Sequence, residues 1–489
     1  MKRPLVVALA LSLGAATNAR GAPLDLTACV RLAIAHNPDV QDAADSAVSA
    51  VLSRDVPLSE YRFKLVPSVS GGLQGSNNTN QYYDLDVSRK LMATGTQIDL
   101  TGGTSVYSAV PQLSVPYLSE TRITVTQPLW QGRSRLENSD RLDDAERRVG
   151  AAKNALAGAR EDLALQVTRG FYDVVRAEAL VRIAGTSLDR VSELDQIGRA
   201  KLTIGAVSKM DVFRTELHAT RLKNALVEQQ AKHESALDQL RGLLGLGADV
   251  PFEIDARDAG VSPDRPEAKP LEGIGIAPPP GARVEQAVED ALEKRVEVTE
   301  AREQVTDAER KAVLARYKIW PAISLLGSYA RLGTGDDFEE SSHLNRTEWL
   351  VGVTSTTPLD RTEERVAAAQ AELALRGRER RLRAVRDQTI RQVREAWRQL
   401  ERARAARTLA GEIVEQAKKQ TELARFRYEK GITDNFDLMQ AESELAEARG
   451  GQVLAAIDEI LAAAAVRHAT GTLEEAFGVA DERLDGEHH

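Results

Sequence analysis

The sequence is poor in several residue types, and each scarcity narrows the possible functions. It has one cysteine in 489 residues, so no intrachain disulfide can form. Aromatic residues make up only 4%, and alanine supplies much of the apolar total, which favours closely packed helices over a bulky globular core. The formal net charge of −9 argues against nucleic-acid binding, because that function needs a basic face.

Recognisable catalytic and metal-binding motifs are also missing from the sequence. The seven histidines are scattered, and no pair of them has the spacing of metal ligands. There is no phosphate-binding glycine loop and no G-x-S-x-G sequence. Most acidic residues stand beside arginine or lysine on predicted helix faces, as they do in solvated helices. We therefore expect no enzyme activity, no cofactor and no metal site.

The N-terminal segment, residues 1–22, has the features of a secretory signal peptide. Lys2 and Arg3 form a basic start, and an apolar run follows from Leu5 to Ala16. Cleavage is plausible after Ala19, Gly21 or Ala22. After this segment no apolar run reaches the roughly 18 residues of a spanning helix. An exported protein without such a helix is periplasmic, secreted or an outer-membrane β-protein.

The single cysteine, Cys29, lies in a sequence that loosely matches a lipoprotein cleavage site, Leu26-Thr27-Ala28-Cys29. Such a site should follow the apolar run directly, whereas here Arg20 and Asp25 intervene. The sequence therefore favours a small buried residue on a helix over a lipidated one.

The chain contains two repeats in which similar sequence segments follow one another in the same order. Residues 26–34 resemble residues 284–292, and three further pairs of segments match in the same order. The predicted organisation is a first repeat at 23–247, a linker at 248–283, a second repeat at 284–473 and a C-terminal tail at 474–489. The linker holds seven of the 17 prolines, so no helix is expected to cross it.

Each repeat is predicted to contain a very long helix followed by a turn and a returning helix. The long helices are expected at about 132–200 and 361–428, and neither range contains proline. At about 1.5 Å per residue, the first would reach roughly 100 Å. Apolar and small residues recur with heptad spacing in both helices, which predicts supercoiled packing against neighbours.

Four segments before the long helices have the character of β-strands: 67–75, 120–129, 321–332 and 347–357. Along the second segment, the apolar Ile123 and Val125 alternate with polar residues, and Trp349, Val351 and Val353 share one face of the fourth segment. This alternation suits a strand with lipid on one face and a polar lumen on the other. Tryptophans near segment ends, Trp130, Trp320 and Trp349, fit a membrane interface. A small soluble β-domain is the alternative.

Four strands cannot close a barrel, and an open strand edge is not tolerated in lipid. Two chains would give eight strands, a width that side chains fill, whereas three would give twelve strands and a lumen. A spanning β-domain with a pore therefore requires at least a trimer. An additional hairpin is indicated at residues 82–105, and the sequence alone does not place it.

The ordered set of motifs resembles the outer membrane efflux protein family, the TolC-like proteins, from about Leu24 to Leu473. The segments that carry this resemblance are 24–40, 126–129, 322–329 and 426–438. The resemblance implies a mainly α protein with a β-barrel portion, in which duplicated units form a trimeric twelve-stranded outer-membrane barrel and a twelve-helix periplasmic barrel. It also implies a passive channel-tunnel for efflux or type I export, whose partners are a periplasmic adaptor protein, an inner-membrane pump and outer-membrane lipid.

The same resemblance implies roles for particular residues. The turns at Gly205 and Gly431, with the neighbouring Ala206 and Ile432, would form the periplasmic tips at which the adaptor docks. A gate would involve Asp211 and Tyr428, and Asp437 would contribute to a constriction that cations sense. The sequence departs from the best-known member at Thr433 and Gln440, where that member has an arginine and an aspartate.

Alternative interpretations follow from the residues themselves. Asp211 and Asp437 would each cap a returning helix if they had no part in gating. A periplasmic or extracellular coiled-coil scaffold would also carry heptads, and an adaptor-type protein would carry a helical hairpin. The motifs do not identify the cargo, so drug efflux, metal efflux and type I protein export all remain open.

Overall fold

The fold was analysed in a computed structural model that describes residues 23–74, 78–108, 117–205, 207–255 and 283–478. The predicted signal segment, most of the proline-rich linker, Ala206 and residues 479–489 lie outside the described residues. The chain divides into two compact units. Unit 1 comprises residues 1–42, 157–296 and 386–489, and unit 2 comprises residues 43–156 and 297–385.

The elements follow one another in the order that a duplicated plan requires. The first repeat contains α1 (Leu26–His36), α2 (Pro38–Ser59), β1 (Lys64–Gln74), β2 (Asn78–Lys90), β3 (Gln97–Ser108), β4 (Tyr117–Pro128), α3 (Arg135–Thr203) and α4 (Lys209–Leu243). The second contains α5 (Val284–Lys294), α6 (Val296–Tyr317), β5 (Ile323–Gly335), α7 (Phe338–Ser342), β6 (Arg346–Ser355), α8 (Thr362–Glu429) and α9 (Asn435–Thr470), followed by α10 (Leu473–Ala476). Two helices of 69 and 68 residues dominate the chain, at the positions where proline is absent and heptads recur.

Unit 2 is built around one antiparallel sheet in the order β1-β2-β3-β4-β5-β6. Four of its strands, β1, β4, β5 and β6, overlap the segments expected from the sequence. The segment at 82–105 supplies β2 and β3, which lie inside the sheet between β1 and β4. The sheet therefore contains the four expected segments and, in addition, the hairpin that the sequence alone did not place. The hairpin has no counterpart in the second repeat, and only its pairing on both sides identifies it as part of the sheet.

The helices of unit 2 are joined by a dense charge cluster. Arg310 on α6 is mostly buried and contacts Asp140, Asp144 and Asp307. Partial burial acts to raise the pKa of Asp307, but hydrogen bonds from Arg310 and Lys311 and the charge of Arg147 outweigh it and lower that pKa. A carboxylate with several cationic partners stays ionised, so this cluster holds α3 against α6 near neutral pH.

Unit 1 buries much of its apolar surface along α9 and the adjoining part of α3. Fully buried side chains here include Tyr172, Val167, Ile457 and Ile460. The start of the predicted C-terminal tail is packed as well: Phe477 is buried, and the Glu474 N–H donates to the Glu161 carboxylate at 2.9 Å. Helical packing in unit 1 therefore extends beyond residue 473.

The cysteine that the sequence analysis singled out is a core residue. Cys29 is fully buried within α1, whose first turn is capped by the Asp25 side chain accepting from the Ala28 N–H at 2.6 Å. Burial, with a contribution from the Asp25 charge, raises the pKa of the thiol to about 12. The thiol is therefore neutral and shielded, as expected of a packing residue.

Among the described residues, no helix combines the length and the apolar character needed to cross a membrane.

Candidate functional site

The candidate site is the pair of turns in unit 1 that connect α3 to α4 and α8 to α9. Gly205 has a φ of +73° and Gly431 a φ of +70°. Side chains disfavour this left-handed conformation, whereas glycine adopts it freely. Both long helices therefore end at a glycine in the left-handed conformation. The Gly431 N–H donates to the Tyr428 carbonyl at 3.1 Å, and the Ile432 N–H donates to the Arg427 carbonyl at 2.9 Å.

The returning helices begin with different caps. At α4, the Ser208 hydroxyl accepts from the Asp211 N–H at 3.2 Å, and the Asp211 carboxylate accepts from the Ser208 N–H at 3.2 Å and its hydroxyl at 2.7 Å. This reciprocal arrangement is a capping box. At α9, the Asp434 carboxylate accepts from the Phe436 N–H at 3.1 Å. Asp211 therefore has a capping role, whereas the cap of α9 is Asp434 and not Asp437.

The predicted gate pair is not joined by a hydrogen bond within the described residues. The Asp211 carboxylate is used by Ser208, as described above. Tyr428 is buried at the end of α8, and the Lys201 ammonium lies 4.3 Å from the centre of its ring. A cation over an aromatic face is attracted by the ring quadrupole, so Lys201 links the end of α3 to the end of α8.

Asp437 occupies the first turn of α9 and is exposed. Within the part of the chain that the structure describes, its carboxylate makes no hydrogen bond or ion pair. A negative charge is stabilised at this position by the helix dipole, since the first N–H groups of a helix point toward it. Asp437 thus carries a charge that is free to act on solutes or on another molecule.

Large apolar side chains are exposed around both turns. Ile204 is 79% exposed, Phe213 is 63% exposed, and Met210, Ile432 and Phe436 are also exposed. Clustered exposed apolar residues commonly mark a surface that another protein covers. The turn residue Ile432 therefore belongs to a larger apolar surface than the sequence analysis identified.

A buried asparagine connects the starts of α4 and α9. The Asn435 amide donates to the Asp211 carbonyl at 3.0 Å and to the Thr215 hydroxyl at 2.7 Å. Asn435 and Thr215 are both buried, so these bonds are shielded from water. This contact could not be predicted from the sequence, although Asn435 lies within the segment 426–438 that carries the family resemblance.

A buried carboxylate joins three helices about two turns further along α9. The Glu442 side chain is 8% exposed and accepts hydrogen bonds at 2.7 Å from Arg190 of α3 and at 2.7 Å from Arg425 of α8. Glu442 follows Gly431 at the same spacing at which Glu216 follows Gly205, so the two glutamates occupy equivalent positions in the two repeats. Glu216 is exposed, and its ion pair with Arg199 spans 3.6 Å. Only the fold distinguishes the two glutamates.

A histidine lies at the contact between the two returning helices. The His218 ring lies 3.3 Å from the hydroxyl of Ser443, measured from Nε2 to Oγ. Partial burial, together with the nearby Arg221 charge, lowers the pKa of His218 below its ordinary value of 6.5. Among the described residues, no cluster of histidine, cysteine and carboxylate side chains could hold a metal ion.

Comparison with known proteins agrees with the resemblance found in the sequence. Residues 287–472 match the family model described as "Outer membrane efflux protein". The chain is 26% identical over 373 residues to the cobalt-zinc-cadmium resistance protein CzcC of Cupriavidus metallidurans, covering 73% of this chain and 81% of that protein. The predicted family resemblance is confirmed.

The fold is shared with solved outer-membrane channels along nearly the whole chain. CusC matches with a TM-score of 0.67 at 14% identity, covering 94% of this chain and 95% of its own. The Neisseria gonorrhoeae MtrE channel matches with a TM-score of 0.67 at 16% identity, covering 92% and 89%. The Campylobacter jejuni CmeC channel matches with a TM-score of 0.64 at 15% identity, covering 92% and 86%. The predicted fold class, mainly α with a β portion, is confirmed.

Proposed function

Because the chain carries an outer membrane efflux protein domain, we propose that it is one subunit of an outer-membrane channel-tunnel that extends into the periplasm. The observation that carries the proposal is the combination of one antiparallel sheet with two long helical hairpins, a fold shared with CusC over 94% of this chain. In this role the protein conducts cargo passively and catalyses no reaction.

The sheet supports assembly of several chains into a closed ring, and the proposed number of three follows the family resemblance. β1 and β6 are the two ends of the strand order, so each has one unpaired side among the described residues. A strand edge in lipid leaves backbone groups without partners, which costs several kcal/mol per group. Pairing β1 of one copy with β6 of the next removes every edge. Mass measurement in mild detergent should give three subunits.

The turns at Gly205 and Gly431 are the proposed docking surface for a periplasmic adaptor that connects the channel to an inner-membrane pump. The support is the exposed apolar surface at Ile432, Ile204 and Phe213. Cysteine introduced at Ala206 or Ile432 should crosslink to the adaptor. Crosslinking only at Ala259 in the linker would contradict tip docking.

The gate and the constriction are proposed at the same end of the helices. Three copies of Asp437 around one axis would form a ring of charge that attracts cations. Asp437→Asn should therefore weaken block of the channel by divalent cations, while Asp211→Asn, whose carboxylate serves the cap, should leave that block unchanged. For the gate, Asp211→Ala combined with Tyr428→Phe should raise conductance if these residues hold the end closed.

The name of the bacterial relative makes divalent cations the first cargo to test. CzcC is named for cobalt, zinc and cadmium resistance. Loss of this chain should sensitise cells to those ions if the same class of cargo applies. If the pump selects a different cargo, loss of this chain should instead sensitise cells to other compounds.

Conductance in planar bilayers tests the proposed function directly. Purified protein in detergent should insert and give discrete conductance steps. A coiled-coil scaffold would need no detergent and would not insert. A monodisperse monomer without detergent and without conductance would overturn the channel proposal and favour the scaffold.

A further inference from the structure

The hairpin formed by β2 and β3 is an integral part of the sheet. β2 has 13 residues and pairs with β1 and β3 along its length, and β3 has 12 residues and pairs with β2 and β4. A membrane-spanning strand needs about 9–11 residues, so both strands are long enough to cross a bilayer. The neighbouring β4 has 12 residues and β6 has 10.

The turn of this hairpin lies at the end of the sheet where β4 leads into α3. The Thr96 hydroxyl donates to the Gln127 side chain at 2.5 Å, and the Gln127 amide donates to the Thr94 carbonyl at 3.2 Å. Gly95 has a φ of +68°, and a side chain there would collide with the Gly132 carbonyl. The turn is therefore anchored at the level where the sheet ends, and the hairpin does not project beyond it.

One row of apolar side chains runs across all six strands on a single face. Successive partners in the register are Leu65, Val87, Leu100, Ile123, Tyr329 and Trp349. Most of them are exposed in the chain, and Trp349 is 76% exposed. An apolar row of this length in water would be costly, because each side chain gains by leaving water. β2 and β3 supply two of its six positions and keep it continuous.

The opposite face of the hairpin is polar. Asp86 of β2 lies beside Thr101 of β3, which lies beside Arg122 of β4. Asp84 and Asp99 share this face because side chains alternate along a strand. A hairpin outside the membrane would have no need to place its three carboxylates on one face and its apolar residues on the other. The one charged residue on the apolar face of β2 and β3, Arg89, lies at the end of β2 next to the turn. The two-sided pattern of β2 and β3 is that of a lipid-facing and lumen-facing strand.

We propose that β2 and β3 cross the outer membrane beside the other four strands, with lipid acyl chains against the apolar row. The proposal rests on the channel function proposed above. Each chain then contributes six spanning strands, and a trimer contributes eighteen instead of the twelve expected from four strands per chain. Barrels of 16–18 strands hold a wide aqueous channel, and barrel diameter grows about linearly with strand number.

The additional strands also change the lining of the lumen. Asp84, Asp86 and Asp99 face the same side as Arg122, so each chain adds three carboxylates that a four-stranded contribution would lack. The barrel is therefore about half again as wide as a twelve-stranded one and richer in negative charge.

Spin-label accessibility measures which surface each strand presents. The native thiol is removed by Cys29→Ala, and single cysteines replace Leu85 and Leu100 on the apolar face and Asp86 and Thr101 on the polar face. Each variant is labelled, assembled as a trimer and reconstituted into phosphatidylcholine vesicles. We expect oxygen, which partitions into lipid, to relax the labels at 85 and 100, and a water-soluble nickel chelate to relax those at 86 and 101.

Matched labels on β4, at Ile123 and Arg122, separate this proposal from the channel function itself. If β4 alternates between oxygen and nickel accessibility but all four β2 and β3 sites are accessible to nickel, the hairpin lies outside the bilayer and the six-strand proposal is overturned. If β4 also shows no alternation, the sheet does not span a membrane, and the proposed function fails with it.

A second set of variants removes any dependence on labelling. Arginine at Leu85 or Leu100 would place a charge against acyl chains, and we expect at least a tenfold loss of assembled trimer from the membrane fraction. Arginine at Asp86 or Thr101 faces the lumen and should assemble as the parent does. Equal assembly of all four variants would overturn the proposal.

Discussion

The returning helices α4 and α9 have equivalent places in the two repeats but differ sharply in burial. α9 has 36 residues, of which 16 are buried, whereas α4 has 35 residues, of which only Val212, Thr215 and Leu240 are buried. Exposed apolar side chains line α4 at Leu217 and Val227. A duplicated sequence plan thus yields one helix inside the unit and one at its edge, and the edge helix presents the surface that a neighbouring copy would cover in the proposed trimer.

The largest expected effect contrasts a buried position on α9 with an exposed position on α4. Ile457→Ala on α9 removes a fully buried side chain and should lower the free energy of unfolding by about 3 kcal/mol, since the cavity adds to the lost burial. The control, Val227→Ala on α4, removes an exposed side chain and should act on trimer dissociation instead. Denaturant unfolding and native mass measurement in detergent separate the two effects. Equal losses of unfolding free energy in the two variants would contradict the difference in burial between α9 and α4.

The next effect contrasts the aligned glutamates. Glu442→Gln weakens the bonds to Arg190 and Arg425, and because both arginines can still reach water, we expect a loss of about 1–2 kcal/mol in the free energy of unfolding. Glu216→Gln, in the exposed pair with Arg199, should change nothing measurable. Thermal unfolding in mild detergent compares the two variants. A larger effect at Glu216 would show that a neighbouring subunit buries it.

The two helix caps should contribute similarly although their residues differ. Ser208→Ala removes the capping box of α4, and Asp434→Ala removes the cap of α9; each should cost about 1 kcal/mol in the free energy of unfolding. Hydrogen exchange of the first-turn amides should rise locally in each variant. If only one of the two variants loses stability, tertiary contacts, and not the cap, hold the start of the other helix.

The smallest expected effect is pH-dependent and concerns the contact between α4 and α9. Since the pKa of His218 is lowered in the folded chain, its contribution to stability is complete above about pH 6.5 and is lost as the pH falls through the lowered pKa. The ring is only partly buried, so the loss between pH 7 and pH 5 should be less than about 1 kcal/mol. His218→Gln should remove this component of the unfolding profile, and an unchanged profile would contradict the assignment.

Much of the helical architecture follows from local patterns in the sequence. The absence of proline and the heptad spacing predict α3 and α8 to within a few residues, and heptad positions such as Val167, Val174 and Leu400 are fully buried. The turn glycines were also predictable, because a long helix that reverses needs a residue able to adopt positive φ. The strand count was not, since the hairpin at 82–105 has no repeat partner and its place depends on pairing with β1 and β4.

The residues of the candidate site likewise divide into those predicted from the sequence and those that only the fold identifies. Positions 205, 211, 431 and 437 are marked by the repeat, but their chemistry is not the same in both copies. Asp211 is engaged by Ser208 and Asp437 is free within the described chain, a difference that depends on the capping residue three positions earlier. Asn435, Glu442 and Lys201 were missed because their partners lie on other helices.

The sequence by itself determined the duplicated plan, the long helices, the turn positions and the burial of Cys29 on a helix, because each depends on neighbouring residues or on a repeating pattern along one element. The tertiary structure alone decided that six strands share the sheet, that α9 is buried while α4 is exposed, and that Glu442 and not Glu216 joins three helices. These outcomes depend on which distant segments pack together, and burial turns the same residue type into either a solvated charge or a shielded ion pair.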